Sequence, residues 1–219
     1  MLSQAVQDYL KTIYKLEEEG PVSTTAIAKE LNISGASVTG MLKRLAAIKL
    51  VNYNSYKGVR LTKEGKKIAL EIIRHHRLLE LYLKETLGFS LEKVHDEACR
   101  LEHHISEEFI EKIDAILGRP EFDPHGHPIP KKTGEIFEAD EIKLSEVNAG
   151  SEARIIRLND SDPEMLAYFE EQGLMPKTNV TVLEKAPFNG PITIQYEGKR
   201  SIIGDEIARN IFVEADLRE

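Results

Sequence analysis

Between Lys93 and Ser106 the sequence KVHDEACRLEHHIS sets His95, Cys99, Glu102 and His103 at spacings of four, three and one. Residues three or four apart share one side of a helix, so His95, Cys99 and Glu102 or His103 would line a single helical face. Thiolate, carboxylate and imidazole together make a ligand set for a divalent transition metal, through deprotonated cysteine and neutral histidine. A lone His or Cys on a helix is ordinarily core or surface; four donors within nine residues is a rarer coincidence. The chain has one cysteine, so no internal disulfide competes for that thiol, and a lone thiol fits a reducing cytosol.

A second array lies upstream, where RHHRLLE puts His76 and Glu80 four apart on one helical face. Alone, such a pair is an ordinary solvated contact. If this helix packs antiparallel on the next across the turn near Gly88, His76 and Glu80 approach His95 and form another site. The segment GRPEFDPHGHPIPKKTGE adds Asp123, His125 and His127, and a later loop adds Asp160 and Asp162. Histidines and aspartates in a linker are ordinarily only solvated.

The elements that must hold these donors follow from periodicity. Val6, Tyr9, Leu10, Ile13 and Tyr14 recur at helical spacing from Gln4 to Leu16, and Gly20-Pro21 ends that helix. Ser23 caps a short helix to about Leu31; after the turn Asn32-Ile33-Ser34-Gly35 a third covers Ala36 to Ala47, with Val38, Met41, Leu42 and Leu45 inward. VNYNSYKGVRLT alternates β-formers around Ser55-Tyr56-Lys57-Gly58 and reads as a hairpin, the wing of a winged helix-turn-helix. Helices are expected over Lys63–Leu87, Leu91–His104 and Ser106–Leu117. Four prolines and three glycines then mark 118–135 as a linker. Beyond about Leu144 the runs ARIIRL, NVTVLEK, PITIQY, RSIIG and IFVEA, with a helix at Pro163–Gln172, predict a small five-stranded β-barrel. The expected fold is mainly α with small β: a winged helix-turn-helix over 1–72, a helical unit over 73–140 and a barrel over 141–219.

A net charge of −8 argues against nucleic-acid binding only if the charge is evenly spread. Residues 1–72 hold eleven Lys and Arg against seven Asp and Glu, a balance of +4, leaving −12 for the remainder. The basic part is the one to face phosphates, and the acidic part has carboxylates to spare for cations. Ser34, Ala36, Ser37 and Thr39 open the third helix with small, mostly hydroxylated side chains that let its N-terminus sit deep in a major groove, with Lys43 and Arg44 further along and Lys57 and Arg60 on the wing. No Arg, Asn or Gln stands near that start for a bidentate base contact, so discrimination is expected from thymine methyls and DNA shape. The bland reading is a winged helix used only for protein contacts. MLSQAVQDYLKTIY lacks the features of a signal peptide and no apolar run approaches a bilayer span, so a cytoplasmic protein without a membrane partner is expected.

YLKTIYKLEEEG, VHDEACRLEHH and HGHPIP together make the chain resemble, over its whole length, the diphtheria toxin repressor family of iron- and manganese-dependent regulators. LAYFEEQGLMPKTNVTV is similar to the FeoA, SH3-like domain of that family. The resemblance implies a winged helix, a helical dimerisation and metal-binding domain and an SH3-like barrel. It implies a primary site of Asp8, Cys99, Glu102 and His103, joined by His76 in the manganese branch. The ancillary site would be His76, Glu80 and His95, as in the iron branch, or Glu80, Asp123, His125 and Asp160, as in longer manganese regulators; sharing Glu80, these are expected to be alternatives. Asp8 with Cys99 is a hybrid, because iron-type members pair Met with Cys there and manganese-type members Asp with Glu. Asp8 suits Mn(II), whereas Cys99 favours Fe(II), Co(II) or Zn(II). Lys11 takes the place of a glutamate that supports a two-metal cluster in some manganese regulators, which speaks against that cluster.

The resemblance thus implies a homodimeric repressor with Fe(II) or Mn(II) as corepressor, binding double-stranded operator DNA and controlling metal homeostasis genes, with no organic substrate and no enzymatic activity. Two other classes fit some of the same residues: a metal-dependent hydrolase, whose carboxylates and histidines activate water, and a winged-helix regulator of a non-metal signal with the cysteine as redox switch.

Overall fold

The computed structural model describes residues 2–17, 20–137 and 139–215. Glu18 and Glu19 of the YLKTIYKLEEEG motif and the last four residues of the expected third unit lie outside them.

Helices α1 (Gln4–Leu16), α2 (Thr24–Glu30) and α3 (Gly35–Ala47) build the first unit. Serine sets two of their starts: Ser23 Oγ accepts from the Ala26 amide and Ser34 Oγ from the Ser37 amide, satisfying donors that a helix N-terminus otherwise leaves bare. Their apolar faces meet in a core of Val6, Leu10, Ile13, Ile27, Val38, Leu42 and Leu45. The hairpin β1 (Val51–Asn54) and β2 (Gly58–Leu61) pairs Val51 with Leu61 and Asn54 with Gly58, and Val59 bridges back to Val22. Gly58 has φ +88°, and a Cβ there would sit 2.6 Å from the Val22 carbonyl oxygen, so the wing can lie this close to the chain only with glycine.

Helix α4 (Lys63–Glu85) starts at a Thr62 cap and joins two cores. Its first turns give Ala69 to the winged-helix core, and its last give Leu78, Leu79 and Leu83 to a second core with Val94, Ala98, Ile110 and Ile113 from α5 (Leu91–Leu101) and α6 (Glu107–Ile116). One rod therefore carries the geometry of one unit into the next. Helix α5 stops earlier than its sequence pattern predicts. Glu102 is the C-cap, its amide still on the Ala98 carbonyl at 2.9 Å, and the His104 amide turns back to donate to the Leu101 carbonyl at 2.9 Å, so the chain leaves the helix at His103.

Residues 118–135 are not a solvated linker. Asp123, Pro124, His125, Gly126, Ile129 and Pro130 are buried. Arg74 and Arg77 of α4 donate to the carbonyls of Pro130 and Pro128, and the Leu158 amide donates to the His125 carbonyl at 2.8 Å. Gly126, at φ +93°, would put a Cβ 1.9 Å from the Ile156 carbonyl oxygen. Its lack of a side chain is what lets the HGHPIP segment dock against the last unit.

That unit holds β3 (Ile142–Lys143), β4 (Glu152–Leu158), α7 (Pro163–Gln172), β5 (Asn179–Lys185), β6 (Ile192–Tyr196), β7 (Lys199–Ile203), α8 (Asp205–Arg209) and β8 (Ile211–Ala215). The sheet is antiparallel throughout in the order β3-β8-β4-β5-β6-β7, with register shifts at Ile155/Arg157 and Val182/Glu184 that help it coil around Phe169, Ile155, Val182, Ile194 and Val213. The five expected strands are present; β3 and α8 are additions too short to leave a periodic signal. Asp162 is the N-cap of α7, accepting from the Glu164 and Met165 amides, which accounts for it without a ligand. The unit is clasped to the helices by Leu91, whose side chain joins its core, and by Glu170, which accepts from the Leu91 amide at 2.8 Å and pairs with Lys84. Among the described residues no helix is long and apolar enough to cross a membrane.

Candidate metal centre

Asp8, Glu102 and His103 converge where α1 meets the end of α5. His103 Nε2 lies 2.9 Å from Asp8 Oδ1 and 3.1 Å from Glu102 Oε1, while its Nδ1–H donates to Gln7 Oε1 at 2.6 Å. The bond to Gln7 turns the ring so that Nε2 faces two carboxylates, the edge it would present to a shared cation. The early end of α5 is what swings His103 to this side.

Cys99, one turn back, lies beside this set and shares Lys11 and His76 with Glu102. Its Sγ lies 3.6 Å from His95 Nε2 and 3.9 Å from His76 Nδ1 on α4. The helices pack as the turn at Gly88 predicts, and His76 becomes the pivot of the cluster: Nδ1 is 2.6 Å from Glu102 Oε2 and Nε2 is 2.9 Å from Glu80 Oε1. Lys11 enters from α1, its Nζ 2.7 and 2.9 Å from the two Glu102 oxygens and 3.8 Å from the sulfur.

Below lies a second pocket. Glu80 turns Oε1 to His76 and His95 and Oε2 to His125, 3.7 Å away, so it offers one oxygen towards residues of each expected ancillary set. Asp123, His125 and His127 form a compact group, with Asp123 Oδ1 taking the backbone amides of His125 and His127 and its Oδ2 3.5 Å from His127 Nδ1. Asp160, at the barrel edge, lies within electrostatic reach of His127, Lys15, Glu80 and His125.

On the outer surface of the winged helix, Ser34, Ala36, Ser37, Lys43, Arg44, Lys57 and Arg60 are exposed and Thr39 is half-buried, its hydroxyl turned back to the Gly35 carbonyl. Tyr56 at the wing tip is almost fully exposed and was not singled out from sequence.

Three family models match consecutive stretches of the chain: the N-terminal DNA-binding domain of iron-dependent repressors over 1–59, their metal-binding and dimerisation domain over 62–131, and the FeoA domain over 142–215. The diphtheria toxin repressor of Corynebacterium glutamicum is 33% identical over 97% of this chain and 97% of its own length. The iron-dependent repressor IdeR of Mycobacterium tuberculosis is 33% identical over 97% and 98%. This chain belongs to the iron-dependent repressor family. A solved manganese-dependent transcriptional repressor in complex with manganese superposes on it with a TM-score of 0.88 at 35% identity, covering 96% of this repressor and 99% of that chain.

The donor chemistry of the repressor fits a divalent cation. Neither ring nitrogen of the fully buried His125 has a hydrogen-bond partner among the described residues, an expensive arrangement unless something else meets those ring nitrogens. The Lys11 ammonium, held among Glu102, His76 and Cys99, marks a place that attracts positive charge. Protonated imidazoles supply more. Burial opposes a charge on His76, but Glu80 and bonds to Cys99 and Glu102 raise it well above the usual range. Bonds to Cys99 and Glu80 lift His95 to about 9. Burial would raise Cys99, yet His76, His95 and Lys11 outweigh it and bring the thiol down to about 6. Burial pushes Asp8 up against the pull of His103. A cation binding here displaces protons from imidazoles whose partners are already anionic.

Gln7 and Lys15 were missed by sequence reasoning. Gln7 carries a signal only in hindsight of Asp8, as its helical neighbour; Lys15 is one basic residue among many. Glu71 and His75, four apart on α4, form a further compact group with Glu107 of α6, which no spacing rule joins to them.

Proposed function

We propose that this metal-dependent, DNA-binding transcriptional repressor works as a homodimer, with Fe(II) or Mn(II) as corepressor, gated by a ligand set that spans two units. Residues 1–72 would be the DNA-binding unit, 73–140 the dimerisation and metal-binding unit and 141–219 the SH3-like barrel. The carrying observation is that Asp8, on α1, meets Glu102 and His103 beyond α5. A bound divalent cation supplies the charge that lets these donors share one centre. Asp8 then fixes α1, and with it α3 and the wing, against the helical unit, while Gln7 holds His103 in the orientation that presents Nε2. Two winged helices held at one spacing can meet successive major grooves about 34 Å apart, with Ser34, Ala36, Ser37 and Thr39 entering the groove and Lys43, Arg44, Lys57 and Arg60 meeting phosphates.

Cys99 is the fourth member of this primary set, and His76 joins it from α4. Lys11, whose ammonium sits on both Glu102 oxygens and leaves less negative charge to share, speaks for a single cation there. Glu80, with His76 and His95 on one side and Asp123, His125 and Asp160 on the other, forms the ancillary pocket. Co(II) and Zn(II) are expected to bind in vitro. Phe109 and Ile116, seven apart on α6 and both exposed, form an apolar strip suited to a second copy of the chain. A cytoplasmic regulator of metal homeostasis genes, acting on no organic substrate and catalysing no reaction, fits these features.

The test is operator binding by protein stripped with EDTA and then supplied with Mn(II) or Fe(II). Affinity should rise by the 5- to 150-fold typical of a coupling of about 1–3 kcal/mol, and DNA should tighten metal binding by the same factor. Glu102→Ala should abolish the response and leave the dimer intact; equal affinity with and without metal rejects the reading.

A further inference from the structure

The wing carries one large side chain that packs against almost nothing in the fold. We propose that Tyr56 enters the DNA minor groove next to the major groove taken by α3 and makes the repressor prefer A·T pairs there. The proposal rests on the reading that the wing meets DNA phosphates, and it adds a contact that reads sequence.

Tyr56 is 97% exposed, at the apex of the β1–β2 hairpin. A single exposed tyrosine is ordinary; the setting of this one is not. Asn54 Oδ1 accepts from the Tyr56 and Lys57 amides at 2.9 and 3.1 Å, and the Val22 and Val59 backbones bond each other in both directions at 2.9 Å, which clamps the hairpin to the body of the winged helix. A ring presented by a clamped turn gives up little freedom on binding. Its neighbours are cations: Lys57 follows it and Arg60 lies on β2, both exposed. Helix α3, meanwhile, leaves readout incomplete. The Ser34 and Ser37 hydroxyls bond each other at 2.9 Å and the Thr39 hydroxyl bonds the Gly35 carbonyl at 2.9 Å, so the hydroxyls near its start are engaged within the helix.

Charge decides where the ring goes. Lys57 and Arg60 are drawn to phosphates, which rim both grooves, and a ring held among phosphate contacts lies over a groove. With α3 in the major groove, the groove left to the wing is the adjacent minor one. An A·T pair in either orientation shows only acceptors there, adenine N3 and thymine O2, to which the Tyr56 hydroxyl donates. A G·C pair raises the guanine N2 amino group from the groove floor, and that group obstructs the ring.

The test uses the full chain at saturating Mn(II) and a duplex that the unaltered repressor selects from a randomised pool. The pairs just outside its major-groove contacts, located by methylation protection, are set to A·T, G·C or inosine·cytosine; the last has the major groove of G·C without the minor-groove amino group. G·C should weaken binding about tenfold, within the cost of one altered base pair, and inosine·cytosine should restore it. Tyr56→Ala should bind the A·T duplex about tenfold more weakly at every salt concentration, with the salt slope unchanged because no charge is removed, and should bind all three duplexes alike. Tyr56→Phe, which keeps the ring, should keep the A·T preference, and the urea midpoints of both variants should match the parent's. Equal binding of the G·C and inosine·cytosine duplexes by the unaltered protein overturns the proposal without any substitution, and so does a Tyr56→Ala variant that binds as tightly as the parent. Should Lys57→Ala leave the salt slope unchanged, the phosphate reading of the wing fails while the inosine comparison still decides this one.

Discussion

The two donor pockets are built from the same kinds of residue and stand in different mechanical relations to the fold. The upper one joins α1 to the end of α5, and its Asp8 side chain is about one-third exposed. The lower one joins α4 to the HGHPIP segment and the barrel, with the Glu80, Asp123 and His125 side chains essentially inaccessible. A ligand set at an accessible junction between units can be made and unmade as the units shift. A set closed inside the contact between helix, linker and barrel has no such freedom, and it contributes stability. The upper pocket is thus suited to switching and the lower to stapling, although Glu80 and His76 belong to both neighbourhoods.

The largest expected effect comes from removing what they share. Glu80→Ala leaves His76, His95 and His125 without their common carboxylate, and breaking a buried ionic cluster on one side costs about 3–5 kcal/mol; urea unfolding of the metal-free protein measures it. A loss under about 1 kcal/mol would mean that the charge does not hold the lower pocket together. His125→Ala should cancel the metal-dependent part of the stability, about 2.7 kcal/mol at an ion concentration a hundredfold above Kd, yet keep metal-responsive operator binding. Asp8→Ala should do the reverse, with stability within about 0.5 kcal/mol of the parent and the coupling of about 1–3 kcal/mol to DNA lost. If both substitutions move stability and DNA response together, the pockets are one device and the division fails.

What the sequence carried and what it lost divides along the same line. Within a helix, spacing is geometry: His95 with Cys99, and His76 with Glu80, could be placed on common faces from their numbers alone, and the Ser and Thr caps marked the helix starts. The orientation of His103 could not be read, because it depends on α5 ending at Leu101, one turn before the apolar pattern stops, and that ending follows from tertiary packing. The linker was misread for a related reason. Four prolines and three glycines are the composition of a flexible connector, but Gly126 is there to admit the Ile156 carbonyl, and the arginines that pin the segment sit on α4, some fifty residues upstream. Asp8 was legible only through resemblance. An isolated aspartate on an amphipathic helix carries no signal until its partners, ninety residues away, are known.

The smallest expected effect separates the gate from the surface it gates. Lys57 and Arg60 project from the wing, exposed and without an ion pair among the described residues, so each is free to meet a DNA phosphate. A residue that neutralises one phosphate contributes about 0.9 to the slope of log affinity against log salt, because one condensed counterion is released. Lys57→Ala should therefore flatten that slope by about 0.9 for every operator sequence tried, with the metal concentration giving half-maximal binding nearly unchanged. Asp8→Ala should shift the metal dependence and, at saturating metal, leave the slope as it was, since the carboxylate positions the winged helix and touches no phosphate. A Lys57→Ala variant that altered the metal response as strongly as Asp8→Ala would mean that the wing reports on the upper pocket, and the switch would then have to extend from α1 through α3 and the hairpin to the DNA.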